Sequence, residues 1–168
     1  MTENLISEEI RGLLEKQEFV YISTCDAERP NVAPKFLVKV KEDSIFIADF
    51  HSGRTSVNLK KNPNVAVGIL SLDALIAYQF LGKAHEVKEK SAVGILMNIL
   101  QERELKFCVE RIVAGVSGNS RSENFEISFP EDVAIYKIDV EEIVTIGPGA
   151  KLIRKHRDNI LQPKSASL

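Results

Sequence analysis

The sequence predicts a mainly β chain of α+β class, a small β-barrel with appended helices. Three observations carry that prediction. Six or seven short segments rich in β-branched and aromatic residues are separated by turn residues. Helical periodicity is confined to a few stretches, so strands do not alternate regularly with long helices as in a doubly wound sheet. The 168 residues, 44% hydrophobic and 27% charged, suit one domain with one core.

The first element is a short helix. Thr2 or Ser7 can cap it, Glu3, Glu8 and Glu9 suit the positive end of its dipole, and Ile6, Ile10, Leu13 and Leu14 recur at helical spacing. Glu18–Cys25 then reads as a strand, 26–30 as a turn and Asn31–Lys41 as a second strand. Pro34 cannot donate to a sheet ladder. Its position is therefore an edge, a bulge, or a place where something other than a strand meets the backbone. Glu42-Asp43 makes a turn into a third strand, Ser44–Asp49.

After Phe50 the period changes. Thr55–Lys61 reads as a short helix started at Ser52 or Thr55 and stopped by Asn62-Pro63. Asn64–Leu70 is a fourth strand and Ile76–Val87 a fifth, broken by Gly82. Ser91–Glu104 is an amphipathic helix with Ala92, Ile95, Leu96, Ile99 and Leu100 on one face. Leu105–Val113 fits helix or strand, and 114–124 reads as a loop. Val133–Asp139 and Ile143–Ile146 read as two further strands, stopped by Gly147-Pro148-Gly149. Residues 1–150 form the expected domain and 151–168 a C-terminal tail, disordered over 163–168.

Bulk properties exclude several classes. A net charge of −2 gives no global basic field for nucleic acid, and the basic run in 151–157 is short enough to be a solvated end. Cys25 and Cys108 lie far apart, without metal-ligand spacing, among apolar neighbours. Buried thiols acting as small hydrophobes are expected. His51, His85 and His156 show no metal-binding spacing, and no nucleophile elbow is present. No stretch reaches the roughly 20 apolar residues of a membrane helix. The N-terminus has no signal-peptide pattern, which makes the cytoplasm the expected location.

Three places have the chemistry of a binding site. Ser52-Gly53-Arg54-Thr55 opens a helix, where free backbone N–H groups and the dipole favour a phosphate. Gly53 permits close approach, Ser52 and Thr55 add hydroxyls, and Arg54 adds a forked cation. The same four residues also suit an ordinary capped helix with a solvated arginine. Asn31–Lys35 pairs a strand proline with a lysine, consistent with backbone bent toward a ligand or with a plain strand edge. Gln79, among apolar strand residues, suits the edge of a polar ring system or the wet face of a half-buried strand.

The order of these features adds to each of them. The runs Glu28-Arg29-Pro30-Asn31-Val32-Ala33-Pro34-Lys35, Ile45-Phe46-Ile47-Ala48-Asp49-Phe50-His51-Ser52-Gly53-Arg54-Thr55, Asn58-Leu59, Asn62-Pro63-Asn64-Val65-Ala66-Val67 and Tyr78-Gln79-Phe80-Leu81-Gly82-Lys83-Ala84 stand in sequence. Together they resemble the FMN-binding split-barrel family related to pyridoxamine 5′-phosphate oxidase. The resemblance covers residues 15–90, and more loosely Phe129-Pro130 and 133–149. It implies a six-stranded split β-barrel acting as a homodimer, with FMN in the cleft between subunits. It implies that Val32, Ala33, Pro34 and Lys35 line the flavin through a strand edge and that Ala48 and Asp49 meet the ring or ribityl chain. Ser52, Arg54 and Thr55 would take the phosphate, with Asn58 close behind, and Gln79 would reach the flavin from either subunit.

The chain also departs from the namesake oxidase. Arg54-Thr55 stands where the oxidase typically has an Arg-Lys pair, there is no tryptophan, and 88–110 forms a helical insertion. Oxidase activity on pyridoxamine phosphate itself is therefore not expected. An FMN-dependent oxidoreductase is the leading expectation, with no catalytic residue singled out. The alternatives are a deazaflavin (F420) or haem in the same barrel, with His51 or His85 as iron ligand, and a non-catalytic flavin carrier or sensor.

Overall fold

The computed structural model describes residues 4–26, 28–50, 53–117 and 133–158. The order of elements is α1 (Glu8–Glu15), β1 (Phe19–Cys25), β2 (Pro30–Lys41), β3 (Ser44–Asp49), α2 (Arg54–Lys61), β4 (Asn64–Ser71), β5 (Ile76–Glu86), α3 (Lys90–Val116), β6 (Ala134–Ile146), a 3-10 turn (Pro148–Ala150) and β7 (Leu152–His156). Every strand pairing is antiparallel. The sheet runs β3-β2-β1-β4-β5-β6-β7, and β3 also pairs with β6. That last pairing closes six strands into the predicted barrel, and β7 continues outward along β6.

Alternation along the strands builds the core. Val20 and Ile22 of β1, Ile45 and Ile47 of β3, Val65, Val67 and Ile69 of β4, and Phe80 of β5 all point into the barrel. α1 and the residues just before it close one end with Leu5, Ile6, Ile10 and Leu14. Ser7 caps it by accepting a bond from the Ile10 amide at 3.3 Å, and Thr2 lies outside the described residues. α3 lies outside the barrel, where Leu96 and Leu100 pack on Val38, Ala48 and Ile135. A register shift between Leu37 and Lys39 lets Leu37 enter the barrel core while Val38 turns under α3.

Four expectations from the sequence are corrected. The cap of α2 is Gly53 in extended conformation, not Ser52 or Thr55. Gly82 does not break β5. It sits at a bulge opposite Val140, where an added Cβ would lie 2.1 Å from the Asp139 carbonyl oxygen. The two expected strands 133–139 and 143–146 are one strand, because β6 pairs with β5 along both parts. It exchanges its other neighbour from β3 to β7 between Asp139 and Glu142. The helix expected over 91–104 runs from Lys90 to Val116.

The C-terminal half of α3 is held by charge as much as by apolar packing. The Arg103 guanidinium donates to the carbonyls of Leu37 (2.9 Å), Gln17 (2.8 Å) and Glu15 (3.2 Å). Arg111 bonds Glu18 at 2.6 Å. Glu104 lies buried between them, with Oε1 lacking a hydrogen-bond partner among the described residues. Burial first, and then the neighbouring Glu18 carboxylate, raise its carboxyl to about 7. Folding therefore favours the protonated form. The stabilisation is fully present below about 4.5 and is lost as pH rises through about 7. Urea unfolding across this window should show a loss on the order of 2 kcal/mol that Glu104→Gln removes. Equal pH slopes in the two proteins would contradict this origin.

Candidate functional site

The α2 end of the barrel carries the polar residues that the apolar core does not need. Thr24 continues the inward row of Val20 and Ile22 on β1 but is polar. Asn31 lies opposite it on β2. The Asn31 amide donates to the hydroxyl oxygens of Thr24 (3.3 Å) and Thr55 (3.2 Å), and the Asn58 amide donates to Thr24 at 3.2 Å. These bonds fix the first two turns of α2 to β1 and β2. Asn58 is completely buried, and its Oδ1 has no hydrogen-bond partner among the described residues.

With α2 anchored in this way, its N-terminus carries no side-chain cap among the described residues. Gly53 contributes no side-chain cap, and the amide of Val57 is the first to bond back, to the Gly53 carbonyl at 3.2 Å. The amides of Arg54, Thr55 and Ser56 belong to the first turn, whose donors have no intrahelical acceptor. Thr55 is buried and joined to Asn31, so its hydroxyl serves the anchor, whereas Arg54 is exposed. Ser56 donates to the Gly53 carbonyl at 3.0 Å. The Asp26 carboxyl accepts the amides of Arg29 and Glu28, which hold it below the usual carboxylate range with smaller help from Lys61 and Arg54. Ser52 and His51 lie outside the described residues.

A second feature adjoins this helix end. Among the described residues β3 pairs with β2 only from Phe36 to Lys41, so Pro30–Lys35 has a strand neighbour there on the β1 side alone. Pro34 therefore lies on a strand segment with an open edge, one of the settings its missing N–H allows. Val32 and Pro34 point outward and are exposed. Phe19, Phe36 and Phe50 form an aromatic row beside this segment, with centroids 4.3 and 4.5 Å apart.

The other candidate residues divide between surroundings. Ala33 is half-buried on the inward side of β2, and Lys35 beside it meets Asp49 at 2.5 Å. Only 12% of the Lys35 side chain and 2% of Asp49's are exposed, so this is a buried ion pair at the barrel mouth. Ala48 is covered by α3. Gln79 is exposed on β5, in a cross-strand row that runs Pro34, Tyr21, Gly68, Gln79. Three strand spacings put it roughly 14 Å from Pro34. One chain thus brings Asn58, Thr55, Arg54 and the open strand edge together, but not Gln79. His85 is exposed near the end of β5.

Sequence reasoning missed Thr24 as an anchor, and Phe36 and Phe50 as an aromatic wall. A signal existed for the first. Thr24 is a polar residue at the inward position of a strand that otherwise alternates Val20 and Ile22, and its partner Asn31 is polar too.

No curated protein matches the chain. Among solved structures, a Clostridium acetobutylicum protein related to general stress protein 26 of B. subtilis (pyridoxinephosphate oxidase family) is similar at TM-score 0.66 and 16% identity. The match covers 90% of this chain and 94% of that one. HupZ of Group A Streptococcus is similar at TM-score 0.60 and 20% identity, over 88% and 98% of the two chains. A pyridoxamine 5′-phosphate oxidase-related, FMN binding protein from Nostoc punctiforme PCC 73102 is similar at TM-score 0.56 and 11% identity, over 93% and 98%. At these identities the likeness is one of fold. The family model described as pyridoxamine 5′-phosphate oxidase matches residues 6–145, and the chain belongs to that family.

Proposed function

We propose that this protein binds FMN as a homodimer, with the flavin in the cleft between subunits, and works as a flavin-dependent oxidoreductase. The observation that carries the reading is the uncapped N-terminus of α2, locked in place by Thr24, Asn31, Thr55 and Asn58. Such an end is a ready site for a phosphate. The amides of Arg54, Thr55 and Ser56 would hold the phosphate, and the Arg54 guanidinium would pair with it from the solvent side. The open edge from Val32 to Lys35 would meet the polar rim of the ring, and Phe36 and Phe50 would wall it with apolar surface. The Lys35–Asp49 pair keeps the mouth rigid behind that edge. When bound, FMN supplies the electron or hydride transfer, and the protein supplies position and field.

The dimer reading rests on the outer barrel face. Phe19, Tyr21, Val32 and Leu70 are 40–66% exposed there, around small residues Ala66, Gly68 and Ala77. A second copy covering this face would bury them and could bring its Gln79 toward the flavin. Among the described residues no helix is long and apolar enough to cross a membrane.

Fluorescence titration tests the phosphate assignment. FMN should bind with quenching, and Arg54→Ala should weaken binding by about 1–3 kcal/mol, the scale of a charge-assisted hydrogen bond. Unchanged affinity in the variant would remove Arg54 from the site.

A further inference from the structure

A cleft of about 570 Å³ opens at the same end of the barrel, beside the C-terminal half of α2. It is lined by Leu59, Lys60 and Pro63 from α2 and the turn after it, by Ala84, His85, Glu86 and Lys88 from the end of β5 and beyond, and by Tyr136 of β6. The volume lies within the usual range for small-molecule sites. The walls are fixed by backbone bonds. The Ala84 amide donates to the Pro63 carbonyl at 2.8 Å, and the Val87 amide donates to the Ile135 carbonyl at 2.8 Å. The cleft is thus already shaped in the free chain.

Its lining has two chemistries. Leu59, Pro63 and Ala84 are apolar. Lys60 and Lys88 reach its rim, and neither has an ion pair among the described residues. Lys83 of β5 and Lys137 of β6, by contrast, are paired with Glu141 and Asp139. The imidazole of His85 adds a donor. The Tyr136 phenol is nearly buried, and burial, then Glu86 and Asp49, raise it above its ordinary value, so it stays protonated and able to donate. Among the described residues Glu86 is the single carboxylate of the lining. Among the described lining residues the side-chain donors outnumber the carboxylates, beside the apolar surface of Leu59, Pro63 and Ala84.

We propose that this cleft is a second ligand site, separate from the N-terminus of α2, that takes a small organic anion: one carboxylate or phosphate ester carried on a compact apolar body. Lys60 and Lys88 meet the anionic group, Leu59, Pro63 and Ala84 hold the body, and Glu86 selects against a second anionic group on that body. Arg54 and Lys60 stand at opposite ends of α2, roughly 9 Å apart along the axis. A ligand here can neighbour a flavin without replacing its phosphate.

Phenyl phosphate is a suitable probe, with phenol as the neutral control, followed by backbone amide shifts of the dimer with and without saturating FMN. The expected result is saturable shifts at Leu59, Lys60, 84–88 and Tyr136 in both states. Lys60→Ala/Lys88→Ala should weaken binding by about tenfold or more, while Arg54→Ala leaves it unchanged and phenol binds far more weakly. Shifts confined to 53–56, abolition by FMN, or unchanged affinity in the lysine double variant would each overturn the proposal. Failure of FMN to bind at all would leave the cleft result standing and would count only against the flavin reading.

Discussion

Asp49→Ala should destabilise the protein by about 3–5 kcal/mol, measured as a lower urea midpoint. The wild-type pair of Lys35 and Asp49 is nearly closed to solvent, with 2.5 Å between Nζ and Oδ1. Removing the carboxylate leaves an ammonium group inside the barrel mouth with its counter-charge gone, and desolvation then dominates. Removing both charges is a different experiment. Lys35→Met/Asp49→Leu takes two ions out of a low-dielectric setting and fills the space with apolar atoms, so most of the lost stability should return. If the double variant is as unstable as the single one, the pair is not the source of the cost. If it is stable but no longer binds FMN, the two residues serve the flavin as well as the barrel.

Gly82→Ala should cost about 3 kcal/mol or more, the upper part of the range for overpacking a rigid site. The added methyl group would meet the Asp139 carbonyl oxygen at 2.1 Å, its carbon at 2.9 Å and the Val140 Cα at 3.1 Å. All three are backbone atoms of the adjoining strand, so no rotamer change relieves the contact. Relief requires β5 and β6 to part where both the bulge and the change of partner occur. Gly94→Ala is the control. It lies in α3 with nothing within 4 Å of the added carbon, and it should gain about 0.5–1 kcal/mol from helix propensity. Equal thermal unfolding temperatures for the Gly82 and Gly94 variants would contradict the close approach.

These two sites also show what a sequence reveals. Ser44–Asp49 was legible to the residue because Ile45 and Ile47 alternate with residues of the other face. The second half of α3 was not, because its stripe of Leu96, Leu100, Glu104 and Cys108 contains a buried carboxyl that reads as a surface residue. Its anchors, Arg103 and Arg111, bond groups more than 60 residues away. β6 read as two strands because Glu141-Glu142 interrupts the apolar pattern where its partner changes. β7 is a largely exposed edge strand rich in basic residues, so no burial pattern marks it. In the site, the glycine-led start of α2 and the strand proline were visible as local chemistry. The Lys35–Asp49 contact and the four-residue anchor depend on strand register, which composition and spacing do not encode.

The central claim is that the N-terminus of α2 takes a flavin phosphate, and the most direct measurement compares FMN with riboflavin by backbone amide shifts. FMN should move the amides of Arg54, Thr55 and Ser56 and bind more tightly than riboflavin, which lacks the phosphate and should leave those three amides in place. Equal affinity for the two flavins, or shifts from FMN that bypass residues 53–56, would contradict the account.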